Sequence, residues 1–328
     1  MLRRALFQLH WLLGISAGTV LAVVGATGAL LSFQDPLLRW MNPGVMTIEP
    51  GTPSAPAPEA ALARVRAAFP DKRLVSVTLS DDPRHAARVL FAAPRETRYI
   101  NPYTGEATGT PRGTGFFQAM TQLHRRLAAG DVGKHVVGAS TVALAMLCLS
   151  GLYLRWWRKR PGSMRYFHAT AGTWILAIYL LVALTGLYWS YGWYRDALFA
   201  LAGAARPAAQ RSAGTIELRY LEPDAPHERA YSRVVLDEPT GAVLRRERYA
   251  GLPAGARFMR SIFALHSGSF FGAPGIVLVM LASLAMPFFS ITGWLLYLRR
   301  RPEKKHKRHY FSTREISCDR GSGARSQR

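Results

Sequence analysis

The sequence is poor in cysteine. Only two of its 328 residues are cysteines, Cys148 and Cys318, and their spacing matches neither a thiolate zinc site nor an iron–sulfur cluster. Cys148 falls within a long apolar run and Cys318 within a basic tail, so the two are not placed to form a disulfide outside a membrane. Any metal chemistry must therefore rest on the nine histidines.

Acidic residues are scarce as well. Only 20 Asp and Glu stand against 42 Lys and Arg, and the formal net charge is +22. Such a balance can indicate a nucleic-acid-binding protein, but the sequence has no recognisable motif of that class. It also lacks the GxGxxG fingerprint of a dinucleotide site. We therefore predict no nucleic-acid partner and no nicotinamide or flavin module within the chain.

Apolar residues make up 49% of the sequence, and they are concentrated in four uncharged runs. These runs occupy residues 11–33, 136–154, 169–194 and 273–298. Each is close to the ~20 residues that a helix needs to cross a bilayer, and lipid requires backbone polar groups to be paired within the segment. The first run could instead be a signal peptide, although it is longer than the usual apolar core of ~7–15 residues. We expect four membrane-spanning helices.

Basic residues flank these runs unevenly. Arg3 and Arg4 precede the first run, five Lys and Arg without an acid lie at 155–165, and the tail from Arg299 is strongly basic. By the positive-inside rule, both termini and the short loop are cytoplasmic, and the two long segments lie outside. The expected location is the bacterial inner membrane, crossed several times, with lipid accounting for many of the basic residues.

The chain reads as a duplication. The first run, with "LHWLLG" and "GATG", resembles the third, with "FHATAG" and "ALTG"; aligning them pairs His10 with His168 and Thr27-Gly28 with Thr185-Gly186. "LHRRLAAGDVGKH" before the second run aligns with "LHSGSFFGAPG" before the fourth, which pairs His124 with His266 and Gly133 with Gly275. Parallel repeats of this kind build a symmetric site between them.

The two long segments outside the membrane also resemble each other in sequence. "PEAALARVRAAF" has helical spacing, while "RLVSVTLS" and "HAARVLFAA" alternate as strands. Both segments contain a strand that runs into a Pro-x-Thr-Gly or Pro-Thr-Gly turn. The predicted class is thus an α-helical membrane protein with two α+β outer units. Its predicted parts are span 1 (1–33), an outer α+β domain (34–135), span 2 (136–154), a cytoplasmic loop (155–168), span 3 (169–194), a second outer segment (195–272), span 4 (273–298) and a basic tail (299–328).

Four histidines match through the duplication and lie at span ends. His10 and His168 are expected at the inner face, and His124 and His266 at the outer face. Any one of them could be an ordinary interfacial side chain, but that explanation does not predict their pairing. Facing imidazoles from symmetry-related helices suit the two axial positions of haem iron. We therefore predict two bis-histidine haem groups, one at each face.

The other histidines have weaker claims. His135 has no counterpart in the second half, where Val277 stands, and it could be an extra metal ligand. His85, His227, His306 and His309 are expected to be solvated surface groups. Small residues such as Gly18 and Gly25 could admit a flat macrocycle or allow close helix packing.

These motifs resemble the PepSY-associated transmembrane proteins. The similarity rests on "LHWLLGISAGTVLAVVGATGALLSF", "YINPYTGEATG", "LHRRLAAGDVGKHVVG" and "FHATAGTWILAIYLLVALTGLYWS", and it covers nearly the whole chain. It implies a four-span bacterial inner-membrane protein, often linked to siderophore uptake. Some members are haem b-containing ferrisiderophore reductases, and the family's histidines carry over to His10, His124, His168 and His266. "GKH", which adds His135, departs from the family's usual pattern.

Two functional hypotheses follow. In the first, the protein carries electrons across the membrane to a periplasmic ferric siderophore or other iron chelate, and a cytoplasmic reductase or a membrane quinol is the donor. In the second, it is a non-catalytic membrane module that binds a peptide, protease or iron-uptake partner. Arg95, Arg98, Tyr99 and Tyr103 could steer an anionic chelate, although scattered arginines more often only solubilise a surface. The oligomeric state is open, a homo-oligomer included.

Overall fold

The structure is a computed structural model that describes residues 1–50, 56–92, 95–156, 163–206 and 214–299. Part of the Pro/Ala-rich stretch at 52–60, much of the 155–165 loop and the basic tail lie outside these residues. The tail histidines His306 and His309 and the tail cysteine Cys318 therefore lie outside the described residues as well.

Four long apolar helices confirm the predicted spans. Each is long and apolar enough to cross a membrane, and together they are α1 (Leu2–Leu31), α5 (Gly130–Trp156), α6 (Met164–Ser190) and α9 (Gly272–Leu298). The helices α1 and α6 begin before the apolar runs do, because basic and aromatic residues are good enough helix formers to extend the first turns. His10 and His168 consequently lie inside the helices rather than ahead of them.

The four helices form a bundle in which α1 and α6 are diagonal to each other. Each of these two packs against both α5 and α9. A Cβ atom on Gly25 would overlap Met286 and the carbonyl oxygen of Ser283, and one on Gly18 would crowd Ser290. These glycines of α1 therefore allow close packing against α9, as small residues do in membrane helices. The alternative, that they admit a flat macrocycle, stays a prediction.

Seven strands form one continuous sheet from both halves of the chain. In sheet order they are β4 (Ala107–Gly109), β3 (Thr97–Ile100), β2 (Ala87–Phe91), β1 (Leu74–Leu79), β5 (Thr215–Tyr220), β6 (Ser232–Asp237) and β7 (Val243–Glu247). All neighbours are antiparallel except β1 and β5, which pair in parallel and join the two repeats. The two outer segments are thus one domain and not two separate units.

Helix α3 (Pro58–Ala68) covers one face of this sheet. Strand residues alternate between faces, and the face under α3 is apolar: Val65 of the helix is buried with Val77, Leu218 and Val234 of the strands. Helix α3 and strands β1 and β2 confirm the helix and strand predictions over the described residues 58–92. Gly105 and Gly241 of the two predicted turns have φ of 85° and 72°, the left-handed region that glycine enters without strain.

Four shorter helices lie between the spans and the sheet. They are α2 (Gln34–Met41), α4 (Thr114–Arg126), α7 (Gly192–Leu201) and α8 (Ala254–Ser267). Helix α4 packs on α1 and α5, and α8 packs on α6, α7 and α9. A Cβ on Gly133 would overlap the carbonyl oxygen of Arg126 at the end of α4, and one on Gly275 would overlap that of Gly268 after α8. These glycines allow each short helix to fold back tightly on the span that follows.

Two histidines outside the spans are less exposed than we expected. His227 is buried, and its Nε2 lies 2.9 Å from Ser261 Oγ and 3.2 Å from the Tyr249 hydroxyl. His85 is partly buried and bonds Ser80 Oγ at 2.9 Å. The expectation of solvated surface groups is therefore wrong for both, because each finds polar partners that compensate its burial.

Candidate functional site

The inner pair consists of His10 and His168. Their rings come from α1 and α6, the two diagonal helices of the bundle, and their centroids are 6.5 Å apart. His10 Nδ1 lies 2.9 Å from Ser150 Oγ on α5, and His168 Nδ1 lies 2.8 Å from Thr292 Oγ1 on α9. Each imidazole is therefore held by the span that follows in its own repeat.

The outer pair consists of His124 and His266, which lie on α4 and α8 near the sheet. Their ring centroids are 6.3 Å apart. His124 Nδ1 lies 2.9 Å from the Val24 carbonyl oxygen and 3.3 Å from Thr27 Oγ1. His266 Nδ1 lies 3.0 Å from Thr185 Oγ1. The short helices thus turn back so that each imidazole contacts the first span of its own repeat.

The two pairs are far apart along the bundle. From His10 to Thr27, which bonds the outer pair, helix α1 rises about 25 Å at 1.5 Å per residue. This is close to the ~30 Å thickness of a bilayer's hydrocarbon core. A cluster of buried side chains that includes Leu21, Cys148 and Tyr179 fills the bundle interior. The pairs therefore lie near opposite sides of the membrane.

The partners of the rings indicate which ring nitrogen carries the proton. All four hydroxyls lie within bonding distance of a backbone carbonyl four residues earlier: Thr27 of Val23, Ser150 of Met146, Thr185 of Leu181 and Thr292 of Phe288. A hydroxyl that donates to this carbonyl accepts from the histidine. The backbone bonds of His124 to Val24 and of His266 to Val182 require the ring to donate, and the same tautomer, with the proton on Nδ1 and a free lone pair on Nε2, satisfies the hydroxyl partners of His10 and His168.

Glycines next to the hydroxyl residues make room for the rings. A Cβ on Gly28 would lie 3.0 Å from Cε1 of His124, one on Gly186 would lie 3.3 Å from Cε1 of His266, and one on Gly151 would lie 3.2 Å from Cε1 of His10. These spacings are tighter than ordinary side-chain packing allows. At these three positions the hydroxyl residue and the glycine thus act together, the hydroxyl as a partner of the ring and the glycine as space for it. Gly293, which follows Thr292, has no described atom within 4 Å of its Cβ position.

A family model, the PepSY-associated TM region, matches residues 7–300. The chain belongs to the PepSY-associated transmembrane family. No curated protein matches the sequence. Both histidine pairs, the sheet and the four spans, apart from the first five residues of α1, lie within the matched region of this PepSY-associated protein.

Burial keeps the outer pair neutral. It lowers the pKa of His124, and the Val24 carbonyl that accepts its proton opposes that shift only in part. Burial, and the nearness of His124, lower the pKa of His266 to about 4. At pH 7 both rings are therefore uncharged imidazoles, which is the form that binds metals.

The remaining predicted residues lie apart from both pairs. His135 is exposed, and its ring centroid is 6.4 Å from that of Tyr191. Arg98 pairs with Glu96 at 2.9 Å, while Tyr99 packs among apolar residues of α1, α2 and α4. In the described part of the chain, no three His, Cys, Asp or Glu side chains are grouped to hold a metal ion.

Sequence reasoning missed the four hydroxyl residues, Thr27, Ser150, Thr185 and Thr292. The signal was available, because each precedes a glycine and all four recur at matching positions of the repeat. We used these residues only to align the two halves. A hydroxyl inside an apolar helix can bond a carbonyl of its own backbone. The sequence therefore gives no reason to expect a second partner far away in the chain.

Proposed function

We propose that this PepSY-associated protein is an inner-membrane haem b protein that carries electrons across the membrane and reduces a periplasmic ferric chelate, releasing iron. The observation that carries the proposal is the pair of facing imidazoles at each end of the bundle. A siderophore is the chelate class suggested by the family resemblance. The electron donor would be a separate cytoplasmic reductase or a membrane quinol.

The spacing of the rings leaves room for one metal within each pair. With metal–nitrogen bonds of about 2.0 Å and a ring centroid about 1.1 Å behind each nitrogen, two imidazoles on one metal would have centroids at most about 6.2 Å apart. The centroids of the inner pair are 6.5 Å apart and those of the outer pair 6.3 Å. Both distances are close to that value, so His10 with His168, and His124 with His266, would each be able to hold a metal.

The number of ligands favours haem over a bare metal ion. Each pair supplies two imidazoles, whereas a structural zinc site needs four protein ligands. Haem iron needs only axial ligands from the protein, and neutral histidine is a common one. Haem b bound at these pairs would supply one-electron redox chemistry.

Hydrogen bonds within the chain orient the four histidines as metal ligands. The bond from Nδ1–H to a hydroxyl or carbonyl oxygen fixes the tautomer and the ring orientation, and it makes Nε2 more basic. His10 and His168 would hold the inner group, and His124 and His266 the outer one. On the substrate, one electron converts Fe(III) to Fe(II), and the lower charge weakens binding by oxygen-rich chelators.

The first test is spectroscopic. The purified protein from haem-replete cells is expected to show a low-spin, bis-histidine b-type absorption spectrum that changes on reduction with dithionite, because all four Nε2 atoms are available as ligands. A folded, colourless preparation would contradict the proposal. Single-turnover oxidation of the reduced protein by a ferric chelate would then test the reductase activity.

A second test removes one hydroxyl. Thr185→Val keeps the side-chain shape but removes the hydroxyl acceptor of His266 and leaves the ring only its backbone bond to Val182. Loss of such an outer-shell bond typically costs about 10–100-fold in metal-site affinity or activity. We expect weaker haem retention at the outer pair and a shifted midpoint potential, measured by redox titration. Thr173→Val is the matched control, because Thr173 on the same helix bonds only the Ala169 carbonyl in the described structure. Equal potentials and haem content in the two variants would rule out this role for Thr185.

The sheet supports a second candidate function, partner binding. Its edge strand β7 exposes Val243 and Leu244, at 51% and 58% of their full surface, and an open edge can add a strand from another chain. A non-catalytic module of this kind needs no haem. The spectrum described above therefore separates the two candidates.

A further inference from the structure

The face of the sheet opposite α3 carries a row of arginines. Thr78 of β1 pairs with Arg88 of β2 on one side and with Arg219 of β5 on the other. Arg219 in turn pairs with Arg233 of β6. Because cross-strand partners share a face and neighbouring strands are about 4.8 Å apart, these side chains form one continuous line. We call Arg88, Arg219 and Arg233 the arginine row.

The row has more positive than negative charge. Glu217 is shared, since Arg219 Nη2 lies 2.5 Å and Arg233 Nε 3.5 Å from its carboxylate oxygens. The next carboxylate along, Glu247, is paired with Arg260 of α8. Arg88 is exposed and makes no ion pair within the described residues. Of the groups just named, the two carboxylates Glu217 and Glu247 therefore stand against four guanidinium groups, and Arg245, opposite Val235 on the same face, adds a further positive charge.

Part of this charge is held away from water. The Nε atoms of Arg219 and Arg233 are buried and have no hydrogen-bond partner among the described residues. Burial, and then the neighbouring Arg260, lower the pKa of Arg233. Like charges on directly opposed strand residues are destabilising, so the row is a place where an added anion would stabilise the fold.

The row faces the bundle. Tyr99, the cross-strand partner of Arg88, packs with Leu30 and Leu31 at the end of α1. At the other end of the row, Arg260 lies on α8, the helix that carries His266. Arg260 and His266 are six positions apart, which is about 9 Å along a helix. The row therefore lies on the face of the sheet that is directed toward the outer pair.

We propose that the arginine row binds an anionic, oxygen-rich ligand, and that this ligand is the ferric chelate itself, held by its carboxylate oxygens. The assignment of the ligand rests on the proposed function. Guanidinium groups match carboxylates with two parallel hydrogen bonds, and Arg219 and Arg233 are adjacent cations whose shared partner, Glu217, leaves them under-neutralised. A phospholipid phosphate offers the same oxyanion chemistry, so the experiment must separate the two sources.

The experiment measures binding without electron transfer. The full-length protein, in nanodiscs of phosphatidylcholine, is titrated with gallium(III) citrate, because gallium has the charge of ferric iron but is not reduced under these conditions. We expect saturable binding, weakened about tenfold by Arg233→Gln, which is the cost of one charge-assisted hydrogen bond. Arg88→Gln, at an exposed position that the fold does not need, is expected to weaken binding in the same direction.

The matched control is Arg246→Gln. Arg246 is exposed on β7 and pairs with Glu59 of α3 on the opposite face, so the same loss of charge there should leave the affinity unchanged. Glu217→Gln, which removes the competing carboxylate, is expected to tighten binding. Equal affinities for the Arg88→Gln, Arg233→Gln and Arg246→Gln proteins would overturn the site.

Two further outcomes identify the ligand's source. If phosphatidylglycerol in the nanodiscs abolishes gallium citrate binding, the row is a headgroup site and the chelate assignment is overturned. If the wild-type protein shows its haem spectrum but binds no gallium citrate, the site is overturned while the proposed electron-carrying function stands. Binding by a protein that lacks haem would leave the site intact and contradict the proposed function.

Discussion

Replacement of His168 by alanine is expected to halve the haem content of the protein, from two groups per chain to one. His168 supplies one of the two imidazoles of the inner pair, and His10, 6.5 Å away by ring centroids, would be left as a single ligand. His124 and His266 lie near the other end of the bundle, about 25 Å along α1, so the outer pair should keep its low-spin spectrum. The measurement is the pyridine haemochrome content per chain, together with the low-spin signals in electron paramagnetic resonance.

His135→Ala is the control for this experiment. His135 is exposed and lies beside Tyr191, apart from both pairs, so its loss should leave haem content and spectrum unchanged. A full haem complement in the His168→Ala protein would disprove the assignment of the inner pair. A reduced complement in the His135→Ala protein would show that the ligand set is larger than four histidines.

Gly133→Ala is expected to disrupt the outer pair alone. The added Cβ would overlap the carbonyl oxygen of Arg126, a backbone atom at the end of α4 that cannot rotate away. Overpacking of this kind costs about 3 kcal/mol or more where the backbone must move, and the shift would carry His124 away from His266. We expect a lower thermal unfolding temperature and loss of the outer haem with the inner one retained.

Gly115→Ala, on α4, provides the comparison. Among the described residues, no neighbouring atom lies within 4 Å of the Cβ position of Gly115. Within a helix, alanine is more favourable than glycine by about 1 kcal/mol in helix propensity. This variant should be as stable as the wild-type protein or slightly more so, with both haems bound. If the two glycine variants behave alike, the tight fold-back at Gly133 does not position His124.

Much of the bundle could be predicted from the sequence, because lipid permits few alternatives. Uncharged runs of spanning length must be helices. The internal duplication alone predicts that His10 pairs with His168 and that His124 pairs with His266. The pairing of Gly133 with Gly275 was also visible, and the structure supplies its reason. Both glycines lie where a short histidine-bearing helix folds back onto a span, and only glycine fits.

The hydrogen bonds of the histidines could not be predicted in the same way. Ser150 lies 140 residues from His10 in sequence and Thr292 lies 124 residues from His168, and no local pattern reports on contacts at that range. The single sheet was missed for the same reason. Alternation predicted the strands of each outer segment, but the parallel pairing of Ser76 with Glu217 and of Leu79 with Tyr220 joins strands separated by two membrane spans.

That central pairing sets an order for biogenesis. Strand β1 is made first, but its partner β5 emerges only after α5 and α6 have been inserted, so the middle of the sheet stays open during synthesis. His124 likewise has no partner until His266, which follows β5 in the chain, has been synthesised. A protein truncated or stalled after its second span would therefore expose an unpaired strand, which is a recognised trigger for aggregation and proteolysis. The sheet can therefore close between β1 and β5 only in chains whose second half has also been synthesised.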